Sequence, residues 1–158
     1  APIQLSTLIL PYLRQAGGGA IVNVSSLAGR TPLQGAATYA ATKAGLRAFT
    51  YSLADELKNT GIYVGLVSPG PIDTGFIMSE IDQVEDIVFS QPMSSAQQVA
   101  DAIVSCARGE AVEISLPKIS GWLTTISYLF PALRSALRPA LYRKGRKAKE
   151  QYKQGNTK

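Results

Sequence analysis

At 158 residues, with 46% hydrophobic and 17% charged side chains, the chain has room for one domain and the composition of a soluble globular protein. It contains no histidine, which excludes Ser-His-Asp and Cys-His relays. Its single cysteine, Cys106, excludes an internal disulfide, leaves zinc without an ordinary ligand set and suits a reducing cytoplasm. The net charge of +5 is uneven: nine Lys or Arg from Arg134 onward against Glu150 leave +8 on the tail and −3 on the remainder. Proton transfer near neutral pH therefore falls to tyrosine, lysine or a carboxylate.

Taken in chain order, residues 3–15 predict an amphipathic helix, with Leu5, Leu8, Ile9 and Leu13 apolar and Pro11 marking a kink or a close fit. Gly17-Gly18-Gly19 stops it and feeds an apolar strand over residues 20–24. A glycine run cradles phosphate when it follows a strand and opens a helix; here the order is reversed, so it reads as a helix stop. Residues 36–58 predict the longest helix, ended by Asn59-Thr60-Gly61. Residues 62–67 form an uninterrupted apolar run, as in a strand covered on both faces, and Ser68-Pro69-Gly70-Pro71 ends it.

The segment 72–92 is mixed, with acidic residues Glu80, Asp82, Glu85 and Asp86, and reads as a helical flap or surface loop. Ser94 and Ser95 open a helix through Val99, Ile103 and Cys106 that Arg108-Gly109 stops; residues 111–116 predict a last strand. Buried strands alternating with helices predict an α/β fold, a parallel sheet covered on both faces. Only three strands are legible, and three alone would leave open edges, so the expectation is that further strands precede Ala1.

Tyr39 and Lys43 lie four apart within the longest predicted helix, hence on one face. A cationic neighbour favours the phenolate, which is how a tyrosine becomes a usable general acid and base. Ser25-Ser26 closes the strand before that helix. Of the pair, Ser25 reads as a structural strand-end residue; Tyr51 and Tyr63 read as packing residues, and Asp73 as a cap or solvated side chain.

Together these residues resemble the short-chain dehydrogenases/reductases. Asn23-Val24-Ser25-Ser26 is similar to that family's strand-end serine motif, with Ser26 thirteen residues before Tyr39; Tyr39-x-x-x-Lys43 is similar to its catalytic pair; and Ser68-Pro69-Gly70-Pro71-Ile72-Asp73-Thr74 resembles its nicotinamide-holding segment. The resemblance covers residues 1–118 and implies the C-terminal half of a doubly wound, Rossmann-type domain. It implies hydride transfer between NAD or NADP and a carbonyl or alcohol carbon, with Ser26, Tyr39 and Lys43 as catalytic residues. Tyr39 would exchange the proton, Lys43 would favour the phenolate and hold the nicotinamide ribose, and Ser26 would hold the reacting oxygen. Pro69, Gly70, Ile72 and Thr74 would meet the carboxamide end of the cofactor.

The family's glycine-rich fingerprint and its upstream asparagine would precede Ala1. Asn23, within the strand, does not stand in for that asparagine. The expectation is thus a C-terminal portion of a longer enzyme, inactive in isolation and homo-oligomeric at full length.

Residues 119–158 depart from the family's usual ending. Trp122, Leu123, Ile126, Leu129, Phe130, Leu133, Leu137 and Leu141 form an apolar series at helical spacing, broken by Pro131 and Pro139, before a basic end. This predicts a helical basic tail: an arm over the substrate mouth or a neighbouring subunit, or a peripheral contact with an anionic membrane. Its apolar character favours a hydrophobic substrate. Nucleic acid is not expected, since stacking aromatics apart from Tyr142 and Tyr152 are not interleaved with the basic residues. The alternative function is a non-catalytic scaffold that binds a partner or membrane through this tail.

Overall fold

A computed structural model describes residues 1–74 and 81–155. Helix α1 (Pro2–Gln15) begins with proline at its first turn, where no backbone donor is lost, and runs on through Pro11. Gly17, Gly18 and Gly19 all take positive φ (80°, 145° and 150°), which lets the chain reverse directly into β1 (Gly19–Val24). A 3-10 turn (Leu27–Gly29) leads to α2 (Ala37–Glu56), followed by β2 (Ile62–Pro69). Two short strands, β3 (Ile72–Asp73) and β4 (Ser94–Ser95), flank the acidic segment. Helix α3 (Ala96–Ala107) starts on a Ser95/Gln98 capping box. Strand β5 (Glu113–Leu116), α4 (Lys118–Leu129) and α5 (Pro131–Gly155) complete the order.

The main sheet is parallel, ordered β1-β2-β5, with Gly19 opposite Ile62 and Leu66 opposite Glu113. Successive side chains of β2 point to opposite faces, so each face has its own core. Ile21, Leu53, Leu57, Ile62 and Val64 pack with Leu10, Leu13 and Phe49 beneath α1 and α2. Val67, Val99, Ala102 and Cys106 pack with Val22, Ile103 and Ile114 beneath α3. Helices on both faces of a parallel sheet make this the doubly wound α/β fold that the sequence predicts.

Several local expectations shift. The last strand is shorter than 111–116. Within 72–92 the described residues hold β3, which pairs with β4 just beyond, and a 3-10 turn (Asp86–Ser90); the expected helical flap or surface loop falls partly on residues 75–80, Glu80 among them, which lie outside the described residues. The tail does break at Pro131, where α4 ends at Leu129 and α5 opens, but Pro139 sits inside a continuous helix. On α1, Leu13 faces the core, whereas Leu5, Leu8, Ile9 and Tyr12 point outward as an exposed stripe.

The acidic segment and the basic tail, separate in sequence, meet. On α5, Arg146 and Lys149 pair with Asp86, Lys153 pairs with Asp82, and Tyr142 donates to Glu85. Gly145 permits the approach: a side chain there would overlap the Asp86 carbonyl oxygen.

Candidate active site

Every residue expected to act lies at or near the C-terminal ends of β1 and β2, the end of a parallel α/β sheet where ligands bind. Lys43 Nζ stands 5.7 Å from the centroid of the Tyr39 ring, one helical turn away. It donates to the carbonyl of Val24, the last residue of β1, at 3.0 Å. An ammonium has three N–H groups, so two stay available. Tyr39 is 48% exposed, and its hydroxyl makes no hydrogen bond among the described residues.

Ser26 caps the 3-10 turn: its Oγ accepts from the Ala28 N–H at 3.1 Å, which leaves its own proton free to donate. The turn rests directly on α2. A Cβ on Gly29 would lie 2.7 Å from the Lys43 carbonyl carbon, so only glycine admits this approach. Ser25 serves the framework, donating its N–H to Val67 (2.8 Å) and its hydroxyl to the Lys43 carbonyl (2.9 Å).

Pro69 ends β2 buried, and the Gly70 N–H donates to the Leu116 carbonyl at 2.7 Å. A Cβ on Gly70 would lie 3.1 Å from the Leu27 side chain, which places this turn beside the one capped by Ser26. Ile72 packs into the α3-side core and pairs with Ser94; half-buried Thr74 follows it. Asn23 is buried in a hydrogen-bond chain, donating to Thr50 Oγ1 at 3.0 Å, which agrees with its exclusion from the site.

Sequence reading missed a second polar cluster. Tyr51, expected only to pack, donates through its hydroxyl to Glu113 at 2.8 Å. Arg30, Arg47 and Ser68 also donate to Glu113. Burial pushes the Glu113 carboxyl up, but hydrogen bonds from Arg47, Arg30, Ser68 and Tyr51 outweigh it and bring the pKa down to about 2. The same carboxylate raises the Arg47 guanidinium, while burial and Glu113 raise the Tyr51 phenol. Two signals were present: an acid within the predicted last strand, and the continuation of the Tyr39-Lys43 stripe four and eight residues further on. A cleft of about 570 Å³ beside this cluster, lined by Glu110, Ser115, Lys118 and Trp122 among others, includes none of Ser26, Tyr39 and Lys43.

Comparison with known proteins gives the family. The short chain dehydrogenase family profile matches residues 1–85. Ketoacyl reductase HetN of Nostoc sp. is 32% identical over 118 residues, covering 72% of this chain and 39% of that protein. The 3-oxoacyl-[acyl-carrier-protein] reductase FabG of Escherichia coli is 34% identical over 116 residues, covering 71% of this chain and 48% of that protein. A short chain dehydrogenase from Burkholderia cenocepacia, solved with NADP, superposes with a TM-score of 0.61 at 28% identity, covering 83% of this chain and 51% of that one. The chain thus spans about half or less of the length of these relatives. By its matched profile, its relatives and its fold, the chain belongs to the short chain dehydrogenase family.

Proposed function

We propose that this chain forms the substrate and nicotinamide end of an NAD(P)-dependent oxidoreductase that interconverts a carbonyl and an alcohol. The observation that carries the reading is the set of unspent donors at one end of the sheet: the Tyr39 hydroxyl, two N–H groups of Lys43 and the Ser26 proton. Such a donor set fits a nicotinamide ribose and a reacting oxygen. Lys43 would hold the ribose hydroxyls, and the Pro69-Gly70 turn with Ile72 and Thr74 would meet the carboxamide. Bound there, the nicotinamide supplies or takes up the hydride.

The chain's own residues handle the proton. Tyr39 gives its hydroxyl proton to the carbonyl oxygen, or accepts one from the alcohol in reverse. Lys43 stabilises the negative charge that forms on the phenol. Ser26 donates to the same substrate oxygen, fixing its position and stabilising developing charge. Relatives named for reduction of ketoacyl and 3-oxoacyl groups support a substrate with an apolar acyl chain, as does the exposed apolar surface of α4, where Trp122 is 74% exposed. The test is oxidation of NADPH and NADH by the protein from the complete coding sequence against 3-oxoacyl thioesters of increasing length. Failure with every chain length and both cofactors would refute the reading.

The same proposal places the protein in the cytoplasm as a homo-oligomer. The exposed α1 stripe of Leu5, Leu8, Ile9 and Tyr12 is spaced as one helix face and supports a second copy as partner. Sedimentation of a Leu8→Glu variant as monomer, against a larger wild type, checks it.

A second reading for the tail rests on a different observation. Ile119, Trp122, Leu123, Leu129 and Phe130 are exposed, and Arg143, Lys144 and Lys147 are exposed and make no ion pair among the described residues. That combination suits peripheral contact with an anionic membrane. No helix among the described residues is long and apolar enough to cross one. Co-sedimentation with phosphatidylserine vesicles, lost in a Trp122→Ser/Leu123→Ser variant, would support the reading, and equal sedimentation of both would sink it.

A further inference from the structure

We propose that Glu113 is a positioning residue for the whole site: one carboxylate that ties together the three segments bearing Ser26, Tyr39-Lys43 and Pro69-Gly70. The inference rests on the assignment of those segments given above, and its geometry is independent of their chemistry. Oε1 accepts from Ser68 Oγ at 2.7 Å, and Ser68 directly precedes Pro69. Oε2 accepts from Arg47 Nη2 at 2.9 Å, and Arg47 lies one turn beyond Lys43 on the same helix face. Oε2 also accepts from Arg30 Nη1, and Arg30 closes the 3-10 turn that Ser26 caps.

The side chains of Glu113 and Arg30 are 6% and 13% exposed, so the pair is held where water screens little. Arg30 spends four of its five N–H groups: beside Nη1 on Glu113, its Nε donates to Thr124 Oγ1 (3.3 Å) and its Nη2 to Thr125 Oγ1 (2.9 Å) and the Gly121 carbonyl (3.2 Å), all on α4. The Ser26 turn is therefore clamped between Glu113 and the tail helix. A planar guanidinium presents its donors in a fixed fork, so it holds two such directions at less entropic cost than an ammonium on a flexible stem. Each arm reaches a different motif, so loss of one arm should loosen one motif. A cluster that served stability alone would have no such pattern.

The experiment uses the protein from the complete coding sequence and three variants, Arg30→Gln, Ser68→Ala and Glu113→Gln, each followed by hydrogen–deuterium exchange and steady-state kinetics. Arg30→Gln is expected to speed exchange in peptides over 25–31 and to lower kcat by about tenfold to a hundredfold, with the dinucleotide KM unchanged. Ser68→Ala is expected to speed exchange over 68–72 and to raise the dinucleotide KM. Glu113→Gln is expected to do both; if it fails to fold, the two single-arm variants still decide. Exchange that rises uniformly along the chain, or does not rise at all in the single-arm variants, overturns the proposal. A wild type that turns over no carbonyl substrate would refute the functional reading alone, because the exchange pattern is read without turnover.

Discussion

The Lys43 ammonium donates to the Val24 carbonyl, so the side chain expected to steer Tyr39 is itself fixed to the end of β1. The Ser25 hydroxyl returns the link by donating to the Lys43 carbonyl. Helix α2 and strand β1 are thus stitched at the residue where the chemistry is assigned, and Lys43 keeps two N–H groups in a defined direction.

That stitching predicts a steric sensitivity at Gly29. Its φ is not in the left-handed region, so alanine there strains no backbone torsion; the obstacle is the Lys43 backbone, 2.7 Å from the added carbon. Gly29→Ala should destabilise the fold by about 1–3 kcal/mol and lower turnover in the full-length protein. Denaturant unfolding and kcat measure the two effects, and a variant with wild-type stability would show that the turn does not rest on α2.

Gly145 gives a test by sign. Within a helix, exposed glycine to alanine normally stabilises by about 1 kcal/mol. The Asp86 carbonyl lies where that methyl would go, so Gly145→Ala should instead lower Tm and speed exchange over residues 81–90. A rise in Tm would mean that α5 does not pack on the acidic segment.

The acid limb of stability should belong to Glu113. Its carboxyl is held at about 2 against an ordinary value of 4.5, so the folded state binds its proton less readily than the unfolded chain. That contribution is fully present above about pH 4.5 and is lost as pH falls through about 2. The fall in Tm across this window should be shallower in Glu113→Gln than in wild type, and parallel curves would contradict the assignment.

Cys106 should be inert. It is 1% exposed, and burial raises its thiol pKa, so the reactive thiolate is both scarce and covered. A thiol reagent should label it only on unfolding; rapid labelling of the native protein would argue against the α3-side core.

Fold class was legible because burial writes itself into residue type. The continuous apolar run of β2 reports a strand covered on both faces, and the Ser95/Gln98 capping box reports where α3 begins. Tyr39 and Lys43 were legible because both lie on one helix and their spacing is local. Glu113 was not, since its partners come from residues 30, 47, 51 and 68 and only the folded chain joins them. The tail breaks at Pro131 as expected, because a proline that cannot continue one helix can open the next, but it was misjudged at Pro139, which is accommodated inside α5. The two-residue strands β3 and β4 are too short for any periodicity to show.

Residues 1–158 alone should show no NAD(P)H binding by calorimetry, because the chain spans about half the length of its relatives and carries the nicotinamide end of the proposed site. Clear binding would show that this portion suffices to hold the cofactor.

The central claim is that Tyr39 moves the proton. The most direct test is Tyr39→Phe in the protein from the complete coding sequence, with carbonyl reduction and dinucleotide affinity measured side by side. Loss of kcat by about a hundredfold to ten-thousandfold, with dinucleotide affinity retained, is the predicted result. Turnover near that of wild type would contradict it.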